Sequence, residues 1–304
     1  MSIKIDVNIP FNKLLGLLKY LDKNEIQYIL DDDYIQILIK NKRVNELEYM
    51  ISEQNYSIIE ILNYNYKKDD IGMIKQLIKA YLENRDEDDI ANMFFHAIDK
   101  WNIELIKIIL DLYTDDVVAL VNSDGGKPLL LALSLKKDSK EKVELLFGYG
   151  ASVDECDHDP IIDALFNDDI IMVKYLLFKG SNLKNIQQKN LEKIFRKNCQ
   201  CSIDFIINHL KNGELMYLKE INWSKCLKYI SKNGNCEVLM ELIEMDIGIE
   251  KIGCYDDLIK ICEKNRHYGM AYFLQTLKTN EKFTKRQEDP GELKITKSGV
   301  SFKK

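Results

Sequence analysis

The chain has 304 residues, 46% of them apolar, with a net charge of −6. That composition can fill a continuous core and rules out a disordered chain. The negative balance argues against nucleic acid or anionic lipid as the main partner. No apolar run approaches the roughly 18 residues of a membrane helix, and LLGLLKYL at 14–21 is interrupted by Lys19. Seven scattered cysteines suit a reducing compartment better than a disulfide framework, so the expected location is the cytoplasm. The opening MSIKIDVNIPFNK lacks the apolar stretch of a secretory leader.

In chain order, residues 1–34 come first, with an apolar helical stretch from Phe11 to Leu30. It carries no repeat signature, as expected of an N-terminal cap whose outer face meets water. A pattern then recurs across 35–278, anchored at Leu38, Asn65, Ala97, Ala132, Ala164, Ile194, Ile230 and Cys262. The gaps run from 27 to 36 residues and average 32. Three residues before each anchor stands a large apolar side chain: Ile35, Leu62, Phe94, Leu129, Ile161, Leu191, Leu227 or Ile259. That spacing puts both on one side of a first helix.

A second stripe begins six residues after the anchor: Ile170, Val173, Leu176 and Leu177 follow Ala164, and Ile103, Ile106, Ile109 and Leu110 follow Ala97. Each unit therefore reads as two short amphipathic helices that shield their apolar faces only when stacked on copies of themselves. Polar turns such as KNKR at 40–43, NDD at 167–169 and KNGN at 232–235 join the helices. The unit from Ala132 has a linker two residues longer. The predicted fold is all-α, an α-solenoid of about eight helix-turn-helix repeats with irregular turns and terminal caps, and no boundary falls inside 1–278. Residues 279–304 lose the period, hold seven basic and four acidic residues, and are expected to form a disordered basic tail.

The stretch GGKPLLLAL followed by KVELLFGYGASVDECDHDPIIDALFNDDIIMVKYLLFKGSNL resembles two ankyrin repeats. Gly150 to Asp154 match the Gly-Ala-Asp-Val-Asn end of an ankyrin unit. Pro128 and Leu129, and again Pro160 and Ile161, match its helix-opening Pro-Leu pair, while Ala132 and Ala164 match its helix alanine. The family's Thr and His are replaced here, by Lys127 and Leu130 in one unit and by Asp159 and Ile162 in the other. Irregular or missing hairpins are therefore expected outside 145–185. In its use of Ile, Lys, Asn, Asp and Tyr the chain is similar to ankyrin proteins of giant amoebal DNA viruses such as mimivirus.

The resemblance implies a non-enzymatic scaffold that binds another protein, a host protein if the viral likeness holds, through turn tips and the inner faces of first helices. The contacts it points to are Asn122, Asp124 and Lys127 at one turn, Asp157 and His158 at the next, and Lys184 and Asn185 at a third. No membrane, cofactor or small-molecule partner is expected. Two alternatives stay open: a nucleic-acid-binding solenoid with the basic tail as its arm, and a ubiquitin-ligase substrate adaptor, although no F-box-like segment is visible.

Chemistry-bearing motifs are sparse. The sequence holds no phosphate-binding glycine loop, no His-Glu-x-x-His and no Gly-x-Ser-x-Gly. An enzyme would need a pocket gathering His96, His158, His209 or His267. Cys199, Cys201 and His209, with Cys226 and Cys236 beyond, lack paired metal-ligand spacing, and thiols two apart on a helix point about 200° away from each other. Asp154, Asp157 and Asp159 around His158 fall where turns are capped; the acidic runs 31–33 and 86–89 each precede or end a helix, and the second fits a helix N-terminus before Ile90. No metal site and no catalytic residue is assigned.

Overall fold

The computed structural model describes residues 3–4, 11–24, 28–29, 32–53, 56–63, 70–135, 138–245, 247, 255–288, 294–296 and 299–301. Among them lie eighteen α-helices. Two 3₁₀ turns and two short strand pairs accompany them: β1 (Ile3–Lys4) runs parallel to β2 (Tyr28–Ile29), and β3 (Lys294–Thr296) runs antiparallel to β4 (Gly299–Ser301). The fold is all-α, and no described helix is long and apolar enough to cross a membrane.

Two compact units divide the chain, Met1–Pro160 and Ile161–Lys304, a boundary the period does not mark. The first unit opens with α1 (Phe11–Lys23), inside the expected cap. Three helix pairs follow: α2 (Asp32–Lys40) with α3 (Val44–Glu53), α4 (Ile58–Leu62) with α5 (Ile71–Glu83), and α6 (Glu87–Lys100) with α7 (Ile103–Leu112). A short α8 (Val117–Val121) precedes the fourth pair, α9 (Ser123–Ser134) with α10 (Ser139–Gly148). The first helices pack serially as α2, α4, α6 and α9, and the second helices as α3, α5, α7 and α10, giving two layers.

The second unit repeats this plan with α11 (Ile161–Phe166) and α12 (Ile170–Phe178), α13 (Gln188–Lys197) and α14 (Gln200–Lys211), α15 (Ser224–Asn233) and α16 (Cys236–Glu244), and α17 (Tyr255–Lys264) and α18 (Tyr268–Glu288). Here α11, α13, α15 and α17 form one layer, and α12, α14 and α16 the other. The helix α18 continues through Glu288, so residues 279–288 of the expected disordered tail are helical; residues 289–293, 297–298 and 302–304 of that tail lie outside the described residues.

The period has a structural cause. Seven anchors are buried, as is every residue three before an anchor; Asn65 lies outside the described residues. Burial of such side chains contributes about 1.5–3 kcal/mol each for the large aliphatics and aromatics. Second helices start where the second stripe starts, at Val44, Ile71, Ile103, Ile170 and Cys236.

Between the helices, the residue four after the anchor takes the left-handed conformation: Lys42 (φ 54°), Asp168 (59°), Asn198 (58°), Gly234 (76°) and Arg266 (64°). The next backbone N–H then reaches back to the anchor's own carbonyl, from Arg43 to Leu38 (2.9 Å), Asp169 to Ala164 (3.1 Å), Cys199 to Ile194 (3.3 Å), Asn235 to Ile230 (3.2 Å) and His267 to Cys262 (2.8 Å). This six-to-one closure satisfies an orphan carbonyl at the helix end and turns the chain in a fixed direction. With its two extra residues, the linker after Ala132 holds its left-handed residue at Asp138.

One turn departs from the rule. Trp101, four after Ala97, has φ −94° and is extended. The end of α6 is closed instead by Trp101 N–H on the Ala97 carbonyl (2.9 Å) and by the Lys142 ammonium, which donates to the Ile98 carbonyl at 2.6 Å from α10. Lys142 is only 4% exposed. Burial pushes its pKa below the ordinary lysine range.

Candidate interaction surface

The expected contacts of the first unit are gathered by two facing turns. Asp124, Gly125 and Gly126 are all left-handed (φ 49°, 62° and 69°), so the regular part of α9 begins only after them. Pro128 then falls in the first turn, where a missing N–H costs nothing. Across from this bend, the Asp157 N–H donates to the Gly125 carbonyl at 2.9 Å. A β-carbon on Gly125 would lie 2.1 Å from an Asp157 carboxylate oxygen, and one on Gly126 would lie 2.4 Å from Cys156 Sγ. Both glycines are thus required by backbone conformation and by the closeness of the facing turn.

Within this pair of turns the named residues do different work. Asn122 is a strap: its amide donates to the Val118 carbonyl (2.8 Å) and the Gly150 carbonyl (3.0 Å) and accepts from Ser152 N–H (2.8 Å). Lys127 holds Asp124 at 3.0 Å and stands over the Phe95 ring at 4.0 Å. Asp124, Asp157 and His158 are exposed at the tips. A non-glycine residue in the left-handed region costs about 1 kcal/mol, so Asp124 is a strained, solvent-facing position. Residues 145–185 contain no strand; the hairpin expected there is replaced by turns and bends at 153–158 and a 3₁₀ turn at Leu183–Asn185.

In the second unit, Lys184 and Asn185 sit in that 3₁₀ turn and are exposed. Asn182 caps it by accepting from Lys184 N–H (2.9 Å), and the Tyr217 hydroxyl donates to the Leu183 and Ile186 carbonyls (2.9 Å each). The tip is rigidly mounted on the following connection.

A further surface was missed by the search for turn tips. At 100° per residue, positions five before, two before and two after an anchor cluster opposite the buried anchor face. In α13, α15 and α17 these nine positions hold seven cations and two carboxylates. Two after the anchor stand Arg196, Lys232 and Lys264, and two before it stand Lys228 and Lys260, all exposed. None of these five forms an ion pair with a described carboxylate. Lys189 and Lys225 occupy the outermost position, Lys225 paired with Glu192 at 2.9 Å. The signal was available, because the same register that found the core also aligns its opposite face.

Among the described residues no group of three or more His, Cys, Asp or Glu side chains could hold a metal ion. His96 and Trp101 Nε1 both meet Asn63 Oδ1 (3.1 and 3.0 Å), His209 pairs with Glu214 (2.7 Å), and His267 Nε2 meets the Lys232 carbonyl (3.0 Å). His96 and His158 belong to the first unit, His209 and His267 to the second. Cys226 is buried, which pushes its thiol up to about 12, and Cys199 faces the Phe166 carbonyl at 3.6 Å. No protein-family model, no curated protein and no solved structure matches this chain.

Proposed function

We propose that the protein is a non-enzymatic interaction scaffold of ankyrin-like repeats, an α-solenoid in design, that binds another protein through exposed turn tips and the inner faces of its first helices, the side opposite the anchors. The observation that carries this reading is the division of labour within each repeat. Anchors, their partners three residues earlier and stripe residues such as Ile106, Ile109, Val173 and Leu176 are consumed by stacking, while the tips at Asp124, Asp157, His158, Lys184 and Asn185 and the opposite side of α13, α15 and α17 are exposed. The cytoplasm is the proposed setting, and the resemblance to viral ankyrin proteins makes a host protein the proposed target.

The test is affinity purification from cytosolic extract with the full chain and a variant carrying Asp157→Ala, His158→Ala, Lys184→Ala and Asn185→Ala. These four side chains are exposed, so the variant keeps its helical circular dichroism. The expected result is one protein recovered in stoichiometric amount by the native chain and depleted with the variant. Recovery of nucleic acid alone, or of nothing, overturns the scaffold reading.

A further inference from the structure

The second unit carries a charge pattern that specifies more than a generic binding surface. Its cations form rows that cross the helices: Arg196, Lys232 and Lys264 in one, Lys228 and Lys260 beside it. Neighbouring helices α13, α15 and α17 are in contact, which places successive rungs about 10 Å apart. The whole face is about 20 Å across the helices and, over seven residues at 1.5 Å each, about 10 Å along them. Glu192 and Asp257 offset only part of this charge, and the remaining cations, held at this spacing, repel one another. At the α17 edge Asp256 and Glu263 are exposed, Asp256 paired with Lys278, and at the α13 edge stand Lys193 and Lys197.

We propose that this face docks a short extended segment of polypeptide bearing aspartate or glutamate at about every third residue, laid across α13, α15 and α17. The proposal rests on the scaffold reading and names the chemistry of its partner. An extended chain advances roughly 3.1–3.6 Å per residue, so three residues span one rung. In a polyproline-type conformation every third side chain also returns to the same side, putting each carboxylate over the next helix. A polypeptide fits better than nucleic acid for three reasons. The face is small for a duplex, and a duplex laid across it would meet Asp256 and Glu263 at the α17 edge. Only one of its seven cations is arginine, the residue suited to forked phosphate contacts. None of its nine positions is aromatic, so the face itself offers no row of rings on which successive bases could stack.

The experiment is fluorescence anisotropy on the full chain with a fluorescein-labelled twelve-residue peptide, Glu-Ser-Pro repeated four times. A peptide of the same composition with its four glutamates adjacent and a twelve-nucleotide oligothymidylate serve as competitors. Two variants of equal charge change are compared, Arg196→Glu with Lys232→Glu and Lys264→Glu, and Lys107→Glu with Lys140→Glu and Lys174→Glu, all at exposed positions. The expected result is binding that falls at least tenfold in the first variant and less than twofold in the second. Both variants keep their circular dichroism, and rising salt weakens the complex. Equal loss in both variants, no peptide binding, or tighter binding of the oligonucleotide overturns the proposal. Preference for the clustered peptide overturns the every-third-residue register. If protein recovered from extract survives the first variant, this inference fails while the scaffold reading stands; if nothing is recovered, the scaffold reading itself fails.

Discussion

The two units share one layered plan but spend their outward surfaces differently. In α13, α15 and α17 the side opposite the core carries cation after cation. In the first unit the matching positions of α6 and α9 are Asn92, Phe95, Asp99, Lys127, Leu130 and Ser134, and their charges cancel. Phe95 is buried there, under the Lys127 ammonium. The units also close their helices differently. All four turns of the second unit use a left-handed residue, whereas the first replaces one of them with Trp101 and the reaching Lys142. The comparison teaches that the buried face of a repeat is fixed by stacking, and that only the opposite face and the turn are free to diverge.

The common part of that comparison breaks most severely in the core. Phe94→Ala in the first unit and Phe195→Ala in the second each remove a fully buried ring and are expected to cost about 3–5 kcal/mol, read from denaturant unfolding. A markedly smaller cost at either site would mean that its stack is not close-packed.

The next effect separates the two ways of ending a helix. Lys142→Met keeps the apolar stem but leaves the Ile98 carbonyl buried and unanswered, at an expected cost of about 1–3 kcal/mol. Removal of the ammonium should also speed amide exchange in the last turn of α6.

Within the left-handed position, sign becomes the test. Arg266→Gly relieves a non-glycine residue at φ 64° and should stabilise by about 1 kcal/mol. Gly234→Ala should destabilise, because its β-carbon would lie 2.5 Å from His267 Nδ1 as well as in the left-handed region. Asp168 is a third case: its carboxylate accepts from Ser202 N–H (2.7 Å) and Cys201 N–H (3.3 Å) at the start of α14. Asp168→Ala should therefore cost about 0.5–2 kcal/mol through the lost cap.

The smallest effect concerns pH. Burial lowers the His96 pKa below its ordinary value of 6.5. The folded state therefore binds fewer protons than the unfolded state in the interval between those two values. Stability from the neutral ring is present above 6.5 and is lost as pH falls through the folded pKa. Thermal melts at pH 7.5 and 5.5 should show a smaller acid shift for His96→Gln than for the native chain.

Much of the fold was legible because helical spacing and burial are two statements of one fact. Ile35 with Leu38, or Leu227 with Ile230, could be read as a core pair before any coordinates were known, and both pairs are buried. The two-residue insertion after Ala132 was legible too, and it shifts the left-handed residue by two positions to Asp138. Lys142 was not, since a lysine in LKKDSKEK reads as solvated; its burial depends on how α6 ends, 44 residues earlier. The division near residue 160 was invisible for a similar reason, because the period runs through it unchanged. At the candidate surface, turn chemistry places Asp157 and Lys184 at turns, where both are exposed, but does not reveal that Asn122 is consumed by straps to Gly150 and Ser152.

The six-to-one bond after each anchor joins main-chain atoms only. Lysine, aspartate, asparagine, glycine and arginine already serve at its pivot. Evolution can therefore rewrite such a corner letter by letter without bending the path of the chain, so long as the count of residues around it is kept.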